Sequence, residues 1–237
     1  QICGPGSQLA RMVAAYRKTD PFGELYIIAV PEPAAGVAAT YTLTVTGAAT
    51  ESGTVNVYVG RTRIQAAVVS GDDVEAVASG IKDAINADPT LPVIASSAAG
   101  VVTLTARHKG LSGNDIPVVL NYYGYGGGEV LPAGVAVAVA AGAAGTGAPV
   151  LNGAIAAMAD EPFDYIGHPF SDLASVNAFV SEMNDTSGRW SYARQLYGHV
   201  YTAKLGTLSE LVAAGNQLNQ QHITVAGYEK ETQTPAD

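Results

Sequence analysis

The sequence predicts an α/β domain that is interrupted by an inserted α+β module. Both ends of the 237-residue chain alternate strand-like apolar runs with amphipathic helix patterns, which is typical of a doubly wound, three-layer sheet. The middle instead shows many short strand patterns with a single helix, which indicates a β-sandwich-like module. The two flanks complete a sheet only if they fold together. Residues 1–36 and 146–237 are therefore predicted to form one discontinuous domain around an insert at residues 37–145.

The first predicted elements are a helix and a strand. Ser7 caps a helix that ends before Pro21, because the residue preceding a proline avoids helical geometry. Apolar residues recur at three- and four-residue spacing on one face of this helix: Leu9, Met12, Val13 and Tyr16. Residues 25–30 then form a short, continuous apolar run, and we expect a strand that is buried on both faces of a parallel sheet.

The insert is predicted to consist of strands around one helix. Alternating, β-branched segments indicate strands with one buried face. These strands are predicted at residues 41–46, 54–59, 64–69, near 93, and at 101–106, 117–122 and 135–139. The helix begins at Asp72, which is expected to cap it, and ends before Asp88-Pro89. The apolar side of the helix consists of Val74, Val77, Ile81 and Ile85.

The α/β pattern resumes after the insert. Helices are predicted at residues 148–159, 172–185 and 207–214, with a short polar helix or turn around Trp190. Strands are predicted at residues 163–166, 196–202 and 222–226. Gly215 is expected to cap the last helix, and the polar tail from Glu229 onward is expected to fray. Together with residues 25–30 this gives four strands joined by short crossover helices, which implies a parallel sheet.

Composition and charge exclude several classes of function. The chain has 12 basic and 21 acidic residues and a net charge of −9, which argues against nucleic-acid binding. The most apolar stretch, residues 130–144, is too short to cross a bilayer, so membrane insertion is not expected. Cys3 is the single cysteine, so an internal disulfide is impossible, which suits a reducing cytoplasm. Only 14% of residues are charged, which fits a surface covered by neighbours or a small-residue-rich soluble protein.

Motifs for nucleotide binding and for hydrolysis are incomplete. The best match to a dinucleotide-binding glycine loop is residues 145–150, where Val150 stands in place of a required glycine or alanine. No Gly-Lys-Ser or Gly-Lys-Thr occurs, which excludes a P-loop. His168 ends a predicted strand with Asp164 and Ser171 nearby, but no serine lies on a nucleophile elbow. A strand-end histidine that bonds to the backbone is the simpler interpretation of His168.

The remaining candidates for ligand binding are equally weak. No two histidines have helical metal-ligand spacing, and residues 72–75 indicate a helix start rather than a calcium loop. Tyr122, Tyr123 and Tyr125 flank a glycine-rich run and fit three roles: stacking on a sugar or base, contact with a protein, or packing at a strand end. The sequence therefore predicts no catalytic, cofactor-binding or metal-binding residues and no cofactor.

The order of several short segments is similar to that of a known family. The segments are residues 39–47 (ATYTLTVTG), 71–73 (GDD), 85–89 (INADP), 101–106 (VVTLTA), 110–114 (GLSGN) and 121–123 (NYY). In this order and spacing they resemble the tail sheath proteins of contractile phages, most closely the Mu-like group. The glycines and the asparagine of the 110–114 segment tolerate positive φ, which lets the chain reverse between strands.

The resemblance implies a structural role without enzymatic activity. Family members polymerise around the tail tube and contract, which drives the tube through the host envelope. The implied partners are other sheath subunits, the tail tube, the baseplate and the tail terminator, in a virion assembled in the host cytoplasm. Full-length members also carry terminal arms and a C-terminal domain. This chain is expected to be a fragment that lacks them, and therefore a monomer. An insert is tolerated where it does not cross the core, so the β-rich module is expected on the outer surface.

Two other classes of function remain open at this stage. An α/β enzyme with a β-rich decorating domain would need a cleft lined with perturbed titratable groups. A surface module for carbohydrate binding or adhesion would use the loop that contains Tyr122 and Tyr125. The same residues also fit the sheath of a bacteriocin or of an injection device.

Overall fold

The computed structural model describes residues 4–218 and 220–229 of the chain, and this part contains ten strands and five helices. The strands are β1 Ala38–Thr46, β2 Gly53–Val59, β3 Thr62–Val68, β4 Val93–Ala98, β5 Val101–Lys109, β6 Val118–Leu120, β7 Ala136–Ala141, β8 Tyr165–Gly167, β9 His199–Gly206 and β10 Ile223–Glu229. The helices are α1 Gln8–Thr19, α2 Val74–Asn86, α3 Asn152–Ala157, α4 Leu173–Glu182 and α5 Leu208–Gly215, with 3-10 helices at Leu111–Asp115 and Tyr125–Gly127. The tail predicted to fray lies outside the described residues beyond 229.

Two antiparallel sheets form the β-rich part. One has the strand order β4-β5-β1-β7 and the other has the order β3-β2-β6. Alternation places Leu43 and Val45 of β1 in the interior, where they share a core with Val55 and Val57 of β2. All seven strands predicted between residues 41 and 139 are present, with shifted ends. The prediction succeeds because one buried face imposes a clear two-residue period.

Helix α2 covers part of this core. Val77, Ile81 and Ile85 are buried against the strands, as their helical spacing predicts. The predicted cap is wrong by one position. The carboxylate of Asp73 accepts a hydrogen bond from the backbone N–H of Ala76, whereas Asp72 accepts one from Val69 N–H and closes the preceding turn. Two adjacent aspartates offer the same capping chemistry, and the turn geometry decides between them.

The last residue of α2 also protects an edge of the first sheet. The side chain of Asn86 donates from Nδ2 to the carbonyl oxygen of Ala95 at 2.8 Å and accepts at Oδ1 from the Ala95 N–H at 2.9 Å. Strand β4 is an edge strand of its sheet, and these two bonds occupy backbone groups that would otherwise face solvent. Asn86 therefore acts as a short substitute for a neighbouring strand.

The third sheet is parallel and has the order β10-β9-β8. Strand β9 pairs with β10 along Val200 to Gly206 and with β8 along His199 to Tyr201. A second core lies against this sheet and contains these buried residues: Leu151, Met158, Phe179, Met183 and Val200. The two cores consist of different residues, so the β-rich part and the parallel sheet are each stabilised by their own burial.

The predicted strand at residues 25–30 is not present. These residues have no regular secondary structure, so the parallel sheet has three strands where four were expected. Ile28 and Val30 still pack against the second core, and the ring of Tyr26 meets the ring of Phe163 edge-on at 5.2 Å. A continuous apolar run predicts burial. In this segment the side chains pack against the core, but the backbone does not pair with a strand.

The parallel sheet is covered on one face along β9. Val200 and Thr202 are buried, whereas Tyr201 and Ala203, which alternate with them, are exposed. A doubly wound sheet is buried on both faces, so the described residues give a mixed α/β fold without confirming the three-layer arrangement. Among the described residues, no helix combines the length and apolar content needed to span a membrane.

Helix boundaries follow their capping residues. Ser7 Oγ accepts from Ala10 N–H at the start of α1, and Thr207 with Glu210 forms a capping box at the start of α5. Helix α3 is shorter than predicted, six residues from Asn152, and the segment containing Pro149 has no regular secondary structure. Gly215 is the last residue of α5 rather than its cap, which is Asn216. The region of Trp190 consists of turns.

Candidate functional site

The strand-end histidine His168 lies in an apolar setting. Its side chain is buried, and its ring stacks on Phe179 with 4.6 Å between ring centroids. Nδ1 accepts a hydrogen bond from the backbone N–H of Phe170 at 3.3 Å, and Nε2 has no partner among the described residues. Burial lowers the pKa of His168 to about 4. The ring is therefore neutral at pH 7 and bonds to the backbone, as the simpler sequence interpretation expects.

The neighbours of His168 do not form a hydrolytic triad. Within the described part of the chain, neither Asp164 nor Ser171 makes a hydrogen bond to the imidazole. A nucleophile and its base must lie within hydrogen-bond reach, with an orienting group on the other ring nitrogen. That second nitrogen has no hydrogen-bond partner among the described residues, so the geometry gives His168 a packing role.

Two other histidines have structural partners. His222 stacks on Trp190 at 4.1 Å, and its Nε2 lies 2.8 Å from Oδ1 of Asp185. His199 Nε2 lies 2.9 Å from the hydroxyl of Thr224 on the adjacent strand. In residues 4–218 and 220–229, no cluster of three or more histidine, cysteine or carboxylate side chains has the arrangement of a metal site.

The glycine loop at residues 145–150 joins the two parts of the chain. Gly145 exchanges two hydrogen bonds with the side chain of Asn114, at 2.6 and 3.0 Å. The backbones of Thr146 and Val37 also exchange two hydrogen bonds, at 3.0 and 3.1 Å. Gly147 has φ near 95°, which favours glycine. These contacts give the loop a structural role as a junction between the two parts of the chain. They account for Gly145 and Gly147 without requiring a phosphate-binding function.

The tyrosine-rich loop is organised by a buried carboxylate that the sequence analysis did not single out. Glu129 is 4% exposed and accepts hydrogen bonds from the Tyr58 hydroxyl and, at 3.1 Å, from the backbone N–H of Tyr123. Arg63 lies 3.5 Å from the same carboxylate. Burial, and then the bond to Glu129, raise the pKa of Tyr58. Tyr123 is thus fixed at a strand end, while Tyr125 is 89% exposed at the loop tip.

A buried arginine organises the turns beside the parallel sheet. Arg189 is fully buried and donates to the carbonyl oxygens of Ala159 and Glu161. Its guanidinium lies 5.6 Å from the ring centre of Phe163 and 3.9 Å from the carboxylate of Glu182. Arg194 binds the same Glu182 oxygen at 2.9 Å. This set ties the end of α4 to the turn after α3.

A large cavity lies between α1 and the parallel sheet. It has a volume of about 950 Å³. Its walls include Leu9, Met12 and Val13 from one side and Phe170, Tyr201 and Leu205 from the other. No residue of α1 is buried, although its apolar stripe faces this space. The lining also includes polar and charged residues, among them Glu32, His108, Lys109, Asp172 and Lys204.

Arg189 and Glu129 left no local signal in the sequence. Each is a single charged residue outside the helices and strands, without the spacing that marks a catalytic or metal motif. An Arg or Glu in such a place is usually exposed. Only the partners, which come from distant parts of the chain, make these two residues structural.

Comparison with known families identifies the two parts of the chain. The family model described as phage tail sheath protein beta-sandwich domain matches residues 34–136, and the one described as phage tail sheath protein central domain matches residues 144–236. The chain therefore belongs to the phage tail sheath protein family. It carries two of the domains of a structural sheath subunit, in consecutive order.

Among individual proteins, the chain is similar to the Mu-like prophage FluMu tail sheath protein of Haemophilus influenzae, with 33% identity over 232 residues. This match covers 98% of the chain and 46% of the relative, so the chain spans about half the length of that protein. The D2–D3 domains of the flagellar cap protein FliD from Escherichia coli align over 48% of this chain and 71% of that chain. Their identity is 21% and the TM-score is 0.21, too low to indicate a shared fold.

Proposed function

We propose that this chain is part of a tail sheath subunit that polymerises around a tail tube and contracts to drive the tube through a host envelope. The observation that carries the proposal is the consecutive match to the β-sandwich and central domains of sheath proteins. The role needs stable, rigid modules rather than a reactive site, which agrees with the packing roles of His168, Glu129 and Arg189. The subunit works without enzymatic activity.

The domain organisation is part of the proposal. Residues 1–36 and 146–237 form one discontinuous domain, and residues 37–145 form an insert on the outer surface of the sheath. Two observations support this division. The two hydrophobic cores share no residue, and the paired backbones of Val37 and Thr146 bring both ends of the insert together. Two adjacent, hydrogen-bonded connections are what an inserted module requires.

The proposal gives the discontinuous domain three layers in the assembled subunit. Its sheet carries an open face along Tyr201 and Ala203, and the apolar stripe of α1 lies across the cavity from that side. Parallel sheets are stable when both faces are covered. Closure of α1 onto this face supplies the missing layer and completes a doubly wound arrangement.

The partners follow from the proposed role. The subunit contacts other sheath subunits along the lattice, the tail tube on the inside, and the baseplate and tail terminator at the two ends. It assembles in the host cytoplasm and resides in the virion. During contraction the subunits rotate and slide as nearly rigid bodies, and compliant connections between modules take up the change.

The test is to locate the chain in assembled particles. Antibody fragments raised against residues 37–145 would be bound to intact particles and examined by electron microscopy. We expect regular decoration along the outer cylinder of the tail, at a spacing that shortens after contraction. Decoration of another part of the particle, or none on particles that contain the chain, would overturn the proposal.

A further inference from the structure

The outer face of the four-stranded sheet consists almost entirely of small, uncharged side chains. Alternation places these residues on the side opposite the core, and none of them is buried. This threonine face consists of Thr40, Thr42, Thr44 and Thr46 of β1, Thr103, Thr105 and Val101 of β5, Ile94, Ser96 and Ala98 of β4, and Ala136, Ala138 and Ala140 of β7. The face presents hydroxyl and methyl groups, and Ile94, half exposed, is its largest side chain.

The strand registers arrange these side chains in rows across the sheet. One row runs from Ser96 through Thr103 and Thr42 to Ala140. The next comprises Ala98, Val101, Thr44 and Ala138, in matching order. Residues directly opposite each other in an antiparallel pair have Cβ atoms about 5 Å apart. The face is therefore an even surface without a long or charged side chain.

Such a composition is unusual for a face in contact with water. Exposed surfaces normally carry interspersed lysine, arginine, glutamate and aspartate, which keep copies of a protein apart. This chain has 33 charged residues, yet the positions of the threonine face carry none. Arg107 follows Thr105 in the alternation of β5 and borders the face, where its Nε donates to the carbonyl of Leu91. The rows of the face end at edge strand β7, and this strand has no charged residue from Ala136 to Ala141.

The edge formed by β7 is open, in contrast to the β4 edge that Asn86 covers. Gly142 N–H donates to the Thr40 carbonyl at 2.8 Å, which fixes the alternation of β7 against β1. The backbone groups of Val137 and Val139 therefore turn away from β1, and no hydrogen-bond partner for their N–H groups exists among the described residues. Native proteins usually block such an edge with charge or proline.

We propose that the threonine face, with its β7 edge, is a contact surface for a second copy of this chain in the sheath. This inference rests on the proposed function. Each copy has a net charge of −9, so copies repel one another except where a charge-free surface allows close approach. Small side chains let two backbones come near. The face carries no aromatic ring for stacking on a sugar, and Arg107 at its border is already bonded to the Leu91 carbonyl.

The size of the face defines the kind of contact it makes. Four strands at about 4.8 Å spacing and some six residues at about 3.4 Å give a plan area of roughly 400 Å². A stable pairwise interface needs about 800 Å² on each partner. A single contact through the threonine face is thus weak, and it becomes effective when many copies repeat it along one lattice.

The test identifies the neighbour of the threonine face in an assembled sheath. Thr42, at the centre of the face, would be replaced by cysteine in a Cys3→Ser background of the gene that encodes the sheath protein. A benzophenone maleimide on Cys at this position would be photolysed in intact particles, and the cross-linked peptides would be identified by mass spectrometry. Ser79→Cys on α2, of similar partial exposure, is the matched control.

We expect position 42 to cross-link to a second sheath subunit at least tenfold more efficiently than position 79. Cross-links from position 42 to tube protein, to another virion protein or to a polysaccharide would overturn the inference, and so would equal yields at the two positions. Those outcomes leave the proposed function intact. Failure to find the chain in any tail sheath is a separate result. It would contradict both the proposed function and the inference about the threonine face.

Discussion

The imidazole of His168 stacks on the phenyl ring of Phe179, with the ring centroids 4.6 Å apart and the ring planes 15° from parallel. One residue ends a strand and the other lies on α4, so the pair joins the sheet to the helix that covers it. The contact needs a neutral imidazole, because a charged ring would be buried without a partner for Nε2. A pH-dependent stability follows.

We expect the free energy of unfolding to decrease as pH falls from 7 towards 4. The pKa of His168 is lowered to about 4 by burial, whereas an unfolded histidine has a pKa near 6.5. Protons therefore bind the unfolded chain first, and the loss reaches at most about 3 kcal/mol. Burial also lowers the pKa of His108, which adds a loss of the same sign. Urea unfolding between pH 4 and 7.5 measures the slope.

The variant His168→Phe separates the contribution of His168 to the pH dependence from that of His108. It keeps a ring against Phe179 and should reduce the pH dependence of the free energy of unfolding. Equal slopes for wild type and His168→Phe would show that this imidazole is protonated as easily in the folded chain as in the unfolded one.

Replacement of Glu129 should destabilise the β-rich module. Glu129→Ala removes the acceptor for the partly buried Tyr58 hydroxyl and for the Tyr123 N–H, at a cost of about 1–2 kcal/mol. Glu51→Ala, at an exposed position, is the control. Denaturant unfolding gives the difference, and hydrogen exchange should show faster exchange at Tyr123. A loss below about 0.5 kcal/mol would contradict the structural role assigned to this carboxylate.

Replacement of Arg189 should destabilise the turns beside the parallel sheet. Arg189→Met fills similar space but removes both donors to the carbonyl groups of Ala159 and Glu161, and we expect a loss of about 3 kcal/mol. Lys18→Met, at an exposed site, is the matched substitution. Thermal and urea unfolding would be compared. If both variants unfold at the same denaturant concentration, the buried guanidinium contributes no net stability.

Replacement of Asn86 should weaken the β4 edge. Asn86→Ala removes two hydrogen bonds to Ala95 and should cost about 1–2 kcal/mol. Asn86→Asp keeps an acceptor for the Ala95 N–H and should lose less. Asn152→Ala, at an exposed helix start, provides the control. Amide exchange at Ala95 is the direct measurement, and unchanged protection in Asn86→Ala would show that another group covers this edge.

The elements that sequence analysis located correctly are those with a repeated local pattern. Strand β1 alternates Leu43 and Val45 with threonines, and α2 repeats Val77, Ile81 and Ile85 at helical spacing, so each face was readable from neighbours alone. The segment 25–30 has no such alternation. Its apolar side chains predict burial, and burial without backbone pairing gives the same sequence signal as a strand.

The structural side chains with distant partners could not be predicted in the same way. Glu129 meets Tyr58 across 71 residues of sequence, and Arg189 meets Ala159 across 30. No spacing rule connects residues at such distances, because their approach depends on how whole strands and helices pack.

The sequence by itself determined the elements of the β-rich module, the mixed α/β class and the resemblance to tail sheath proteins, since these depend on local periodicity and on the order of short segments. The tertiary structure decided which charges are buried, which edge Asn86 covers, and that the threonines of β1 and β5 share rows with the alanines of β7. The physical reason is that strand register and side-chain burial are set by the packing of the whole chain, and local patterns do not encode that packing.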